Sequence, residues 1–171
     1  MLKKIVDRIR EFIEDQPPLV TVKIVPHDPL FIPKFANREA VGADARAFIQ
    51  DTAGLPHYIV IGPGEKRKIS LGIRMEIPSA YEAQIRPRSG LSTKSELILL
   101  NSPGTIDPDY RGEVFVVYKN VSKSPVRIEH GDRIAQIVIA PRMRVRFVAE
   151  DETSLTKTER GSGGFGHTGI Q

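Results

Sequence analysis

The sequence predicts an all-β domain, a sandwich or a closed barrel, preceded by one amphipathic helix and followed by a glycine-rich tail. Three observations carry that expectation. Short runs rich in Val and Ile recur at regular spacing between turn residues; 14 glycines and 13 prolines punctuate the chain; and 40% hydrophobic content leaves enough apolar material for a core. At 171 residues the chain has the length of a single domain.

In order along the chain, Leu2, Ile5, Ile9, Phe12 and Ile13 fall at helical spacing, with charged residues on the other positions apart from Val6. A helix packed on the domain or on a neighbouring subunit is expected there, ended by Gln16-Pro17-Pro18. Acids balance the bases on its polar face, which disfavours a membrane-surface role. Strands are expected within Val20 to Val25, Ile59 to Ile61, Ile69 to Ile77, Val114 to Tyr118, Arg133 to Ile139 and Val145 to Val148. A short helix is expected within Leu91 to Leu100, where Thr93 and Glu96 stand at capping-box spacing. Beyond Glu150 the chain turns polar, and the glycines from Gly161 onward read as a mobile tail. The division is thus an extension over 1–18, a β domain over 19–150 and an arm over 151–171.

Composition narrows the chemistry. Without cysteine, disulfide scaffolds, thiolate zinc sites and cysteine nucleophiles are excluded. His27, His57, His130 and His167 show no metal-binding spacing. A net charge of +4 suits a polyanionic ligand, and a small phosphorylated substrate fits it without any nucleic acid. No apolar run reaches the roughly 18 residues of a membrane span, and the expected location is the cytoplasm.

Four local constellations can carry function. Arg86-Pro87-Arg88-Ser89-Gly90 offers two guanidinium groups, a hydroxyl and backbone donors to phosphate oxygens, or is an ordinary basic turn with a serine cap. The stretch from Asn101 to Gly112 is crowded with turn formers and reads as a hairpin. On it, Asp107 is held by the rigid Pro108 and suited to taking a proton from water, while Tyr110 can present its ring to a sugar or base. Gln136, inside a β run, needs an amide partner, and Asp44 is either a turn carboxylate or an oxygen ligand near a hard cation. In the tail, Arg160 and Phe165 combine an oxyanion binder with a flat aromatic face, beside glycines free to adopt positive φ.

Five segments in this order are more specific together than any one alone. They are Gly42 to Ala47, Arg88 to Ser92, Gly104 to Glu113, Gly131 to Gln136, and Arg160 to Gly166. On them the chain resembles the trimeric dUTPase (deoxyuridine triphosphate nucleotidohydrolase) family, from about Leu19 to the C-terminus. The resemblance implies a distorted jelly-roll β-barrel that forms a homotrimer, each active site shared among three subunits. It implies Mg2+-assisted attack of water on the α-phosphorus of dUTP, giving dUMP for thymidylate synthesis and pyrophosphate. Asp107 would activate the water. Arg88, Ser89, Gly90 and Gln136 would hold the triphosphate, and Asn101, Gly104 and Ile106 of the hairpin would meet uracil. Tyr110 would pack on the deoxyribose, Asp44 would touch the magnesium ion through water, and Arg160, Phe165 and Gly166 would close over the substrate.

The chain departs from the family pattern at Val41, Ala45 and His167, none of them a catalytic group, and at a longer segment over Asp51 to Tyr58. Two rival readings share the scaffold. A dCTP deaminase needs a glutamate on the strand after the hairpin, and Val114 to Tyr118 contains no acid. A non-catalytic nucleotide binder has no need of the carboxylate at Asp107.

Overall fold

Runs rich in Val, Ile and Leu between turn residues form strands here, and Ile73–Glu76, Leu97–Leu99 and Phe115–Asn120 turn alternate side chains inward. The computed structural model describes residues 19–50 and 57–164. The expected N-terminal helix, most of the 51–58 segment, and Phe165, Gly166 and His167 lie outside the described residues.

Twelve strands are present among the described residues: β1 (Lys23–Pro26), β2 (Lys34–Phe35), β3 (Ala43–Arg46), β4 (Tyr58–Ile61), β5 (Lys66–Ser70), β6 (Ile73–Glu76), β7 (Tyr81–Pro87), β8 (Leu97–Leu99), β9 (Gly104–Ile106), β10 (Phe115–Asn120), β11 (Val126–Glu129) and β12 (Arg133–Pro141). One short helix, α1 (Ser89–Lys94), follows β7. All pairings are antiparallel. A five-stranded sheet has the order β2-β3-β12-β7-β9, a three-stranded sheet the order β5-β10-β8, and two ribbons pair β1 with β6 and β11 with β4. The protein is mostly β with a single short helix, and none of these hydrogen-bonded sheets closes on itself.

The core lies between the sheets. Ile69, Leu71, Ile73, Ile85, Val114, Val116, Tyr118 and Ile134 are buried together. Burying a side chain of this kind contributes about 1.5–3 kcal/mol. Tyr118 is fully enclosed, and burial pushes its phenol up to about 12, only partly offset by the charge of Arg88. Its hydroxyl donates to the Ile134 carbonyl, so this buried polar group is satisfied.

Three expectations are corrected. The run Ile69 to Ile77 is two strands, because Gly72 turns the chain at φ 66°, where a Cβ would stand 2.8 Å from the Phe48 Cβ and 2.9 Å from the Phe31 ring. The helix within Leu91 to Leu100 instead spans Ser89–Lys94, and Thr93 is no cap: its hydroxyl donates to the Ser89 carbonyl at 3.0 Å inside the helix. Leu97 and Leu99 are drawn into a strand by the buried apolar wall they share with β10. Finally, Val145 to Val148 forms no strand, since no neighbour among the described residues offers it a ladder of hydrogen bonds.

Candidate active site

β12 runs through the middle of the large sheet and brings three of the motifs to one place. Its register sets Gln136 opposite Asp44 of β3 on one side and Arg86 of β7 on the other. Asp44 is buried, and four donors reach its carboxylate. Arg88 gives Nε to Oδ1 at 2.8 Å and Nη2 to Oδ2 at 3.2 Å, Arg133 gives Nη1 to Oδ2 at 3.2 Å, and Gln136 gives Nε2 to Oδ1 at 3.3 Å. Burial works against the charged carboxylate, but the hydrogen bonds from Arg88 and Gln136 and the charges of Arg88 and Arg133 outweigh it, holding Asp44 below its usual value. Gly42 permits this packing, because a Cβ there would press on the Gln136 amide at 3.1 Å.

Arg88 itself is the residue before α1, and a third contact, Nη1 to the Arg133 carbonyl at 3.0 Å, fixes its guanidinium. Ser89 and Gly90 occupy the exposed first turn of the helix, whose backbone N–H groups have no partner within it. A Cβ on Gly90 would meet nothing within 4 Å, so the chain's own packing does not require glycine there. A cavity of about 330 Å³ opens at this turn, lined by Arg88, Gly90, Lys94, Arg127 and Arg133 among others. Its walls carry the positive charge that a polyphosphate needs.

The hairpin lies elsewhere. β9 pairs with the edge of β7, and the turn that follows carries Asp107 at its exposed crest. No hydrogen bond or ion pair engages the Asp107 carboxylate among the described residues, so its lone pairs remain open to water. The Tyr110 hydroxyl donates to the Glu113 carbonyl at 2.9 Å, and its ring covers Gly112 so closely that a methyl there would overlap the hydroxyl. Gly112, which the motif contains but to which the sequence reading gave no role, is therefore required for this placement of Tyr110. Asn101 accepts from the Val117 amide at 2.9 Å and donates to the Phe115 carbonyl at 3.4 Å, which ties its side chain to β10. Gly104 sits so near the Asn101 carbonyl, 2.7 Å from where a Cβ would be, that no side chain fits. A cavity of about 320 Å³ is lined by Asn101, Thr105, Ile106, Asp107, Tyr110 and Phe115 among others.

No residue lines both this cavity and the one at α1. The described part of the arm, 151–164, lines neither cavity, and its hydrogen bonds are local, with Arg160 giving Nε to the Gly163 carbonyl at 2.7 Å. Of the residues the motifs singled out, the fold gathers Asp44, Arg88 and Gln136 with Ser89 and Gly90 beside them. It gathers Asn101, Gly104, Ile106, Asp107 and Tyr110 separately, and leaves Arg160 apart.

The sequence matches the dUTPase family profile over residues 53–169, which includes the hairpin, Arg88 to Gly90, Gln136 and most of the arm, while Asp44 precedes the matched range. The chain belongs to the dUTPase family. A deoxyuridine 5'-triphosphate nucleotidohydrolase of Chlamydia caviae is 48% identical over 139 residues, covering 81% of this chain and 90% of that protein. Among solved structures, the dUTPase of Staphylococcus bacteriophage 80alpha with dUPNHPP is similar with a TM-score of 0.75 at 25% identity, covering 88% of this chain and 99% of the other. The dUTPase of phage phi11 of S. aureus, described with a structural Mg(II) ion, shares the fold at a TM-score of 0.63 and 24% identity, covering 77% and 99% of the two chains.

Among the described residues of this dUTPase-family chain, no group of three His, Asp or Glu side chains could cage a cation. Asp44 is committed to four donors and has no place as a direct ligand. No described helix is long and apolar enough to cross a membrane.

Proposed function

We propose that the chain hydrolyses dUTP to dUMP and pyrophosphate in a homotrimer whose active sites combine residues of three subunits. The observation that carries the reading is the pairing of one unengaged carboxylate on a rigid turn, Asp107, with a guanidinium cluster at a helix start in a single dUTPase-family chain. Asp107 takes the proton of a water that attacks the α-phosphorus, and pyrophosphate leaves. The uracil edge pairs with backbone groups around Gly104, Ile106 and Asn101, since the Asn101 amide is already used on β10. Cytosine presents a donor where uracil presents an acceptor and is rejected by the same backbone. The Tyr110 ring lies against the deoxyribose, where a 2′-hydroxyl would lose water without gaining a partner.

Arg88, Ser89, Gly90 and Gln136 hold the phosphates, and Mg2+ bound with the triphosphate supplies further charge neutralisation beside Asp44, reached through its water shell. Arg160, Phe165 and Gly166 of a third subunit close over the substrate. Two features support assembly. The hairpin and the guanidinium cluster form separate cavities in one chain, and the segment after β12 exposes Met143, Val145 and Phe147, the last at 95%, with no strand beside it. A partner that supplied such a strand would bury those side chains. The distorted jelly-roll barrel, the division at residues 18 and 150, and action on the cytoplasmic nucleotide pool belong to the same proposal.

Deamination finds no support, because β10 carries no acid and the Glu113 carboxylate is engaged by Ser70 and His27. Pyrophosphate release with Mg2+, compared for dUTP, dCTP, dTTP and UTP, tests the reading. Rapid turnover of dUTP alone is expected; equal rates with all four refute the pocket described.

A further inference from the structure

Glu113 ends the hairpin and lies outside every role assigned above, yet three elements converge on it. The Ser70 hydroxyl, at the end of β5, donates to its Oε1. His27, just beyond β1, places Nε2 3.2 Å from the same oxygen. The Glu113 backbone carbonyl receives the Tyr110 hydroxyl at 2.9 Å. Each partner is itself fixed. The Ser70 oxygen accepts the Gly72 amide at 2.8 Å, the His27 amide donates to the Gly72 carbonyl at 2.9 Å, and the His27 ring stacks on Phe48 with centroids 4.2 Å apart. The following residue, Val114, is fully buried and exchanges backbone hydrogen bonds with Leu71 and Ile73.

The carboxylate therefore has a different task from a surface charge. Its side chain anchors to the body of the domain the stretch of backbone whose carbonyl orients Tyr110. The Val114 amide, in the same peptide unit as that carbonyl, is held by Ile73, and the Glu113 side chain fixes the unit's other end; without it the carbonyl can tilt about the Val114 hydrogen bond, and the ring resting on Gly112 shifts with it. We propose that Glu113, held by Ser70 and His27, is a positioning residue for sugar selection, setting the height of the Tyr110 ring against a 2′-deoxyribose and so its rejection of a ribonucleotide. The proposal rests on Tyr110 facing the sugar in the hydrolysis of dUTP.

Steady-state kinetics with dUTP and UTP, together with melting curves, test it on the full chain. Glu113→Ala is expected to raise KM for dUTP about tenfold with kcat within about twofold, and to lower the dUTP to UTP ratio of kcat/KM about tenfold, the loss of a charge-assisted contact. His27→Ala and Ser70→Ala are expected to move the ratio the same way by about threefold, and they carry the test if Glu113→Ala does not fold. His27→Gln, which returns a donor near the position of Nε2, and Glu113→Gln, which keeps an acceptor for Ser70, are expected to restore most of the ratio. A drop in melting temperature with an unmoved ratio overturns the positioning role while leaving the hydrolysis intact. A wild type that does not hydrolyse dUTP overturns both.

Discussion

Asp44 and Asp107 are both motif aspartates, and the fold treats them oppositely. Asp44 is buried in β3 beneath two arginines and a glutamine, with hydrogen bonds to both carboxylate oxygens. Asp107 stands on an exposed turn with no partner among the described residues, and what holds it is backbone: β9 against β7, the Pro108 turn, and the Tyr110 amide donating to its carbonyl at 3.1 Å. On the proposed reading, the difference separates two ways of preparing a site. A phosphate clamp needs its cations aimed in advance, and a buried anion aims them. A base that must accept a proton needs lone pairs left open, so its position is fixed through the main chain.

The sharpest way to break that comparison is at Asp107. Asp107→Asn is expected to lower kcat about 10³-fold with analogue affinity and melting temperature preserved, because the carboxylate holds nothing in place. Calorimetric titration with a non-hydrolysable dUTP analogue and thermal melts check it. Next in size is the arm: ending the chain before Thr158 is expected to lower kcat/KM about 10- to 100-fold with little change in melting temperature, since the described arm makes only local hydrogen bonds. An unchanged kcat/KM would sink the closing role.

Asp44→Ala should behave in the opposite manner to Asp107→Asn, costing about 3 kcal/mol in urea unfolding by leaving Arg88 without its partner, with activity falling as a consequence. Gly112→Ala is smaller, about 1–2 kcal/mol, and should raise KM for dUTP more than it changes kcat, because the methyl displaces Tyr110. The mildest test is pH. The Asp44 carboxyl is held below its usual value of 3.8, so its contribution to stability is complete above that value and is lost as pH falls through the lower, folded one. Acid unfolding of the wild type should therefore steepen below about pH 4 relative to Asp44→Asn.

Much of this was legible in the residues. Turn formers located Asp107 and Tyr110 on a hairpin, and Arg88, Ser89 and Gly90 at a helix start, because proline and glycine constrain the backbone locally. Asn101 was legible as a hairpin residue, but its engagement with β10 follows from a partner 14 to 16 residues away in sequence. Arg133 was not singled out at all; it reaches Asp44 across 89 positions, a distance no local pattern encodes. The failed strand at Val145 to Val148 has the same root, since apolar alternation reports that a segment can pair and not whether a neighbour exists.

What the sequence determined by itself was the family, the β-rich texture and the identity of the chemical groups, all of which reside in residue type and short-range order. The tertiary structure alone decided which groups meet: that Arg88, Arg133 and Gln136 converge on Asp44, that the hairpin and the guanidinium cluster open into separate cavities, and that His27 and Ser70 reach Glu113. Those outcomes depend on strand register, where a shift of one residue turns every side chain to the opposite face.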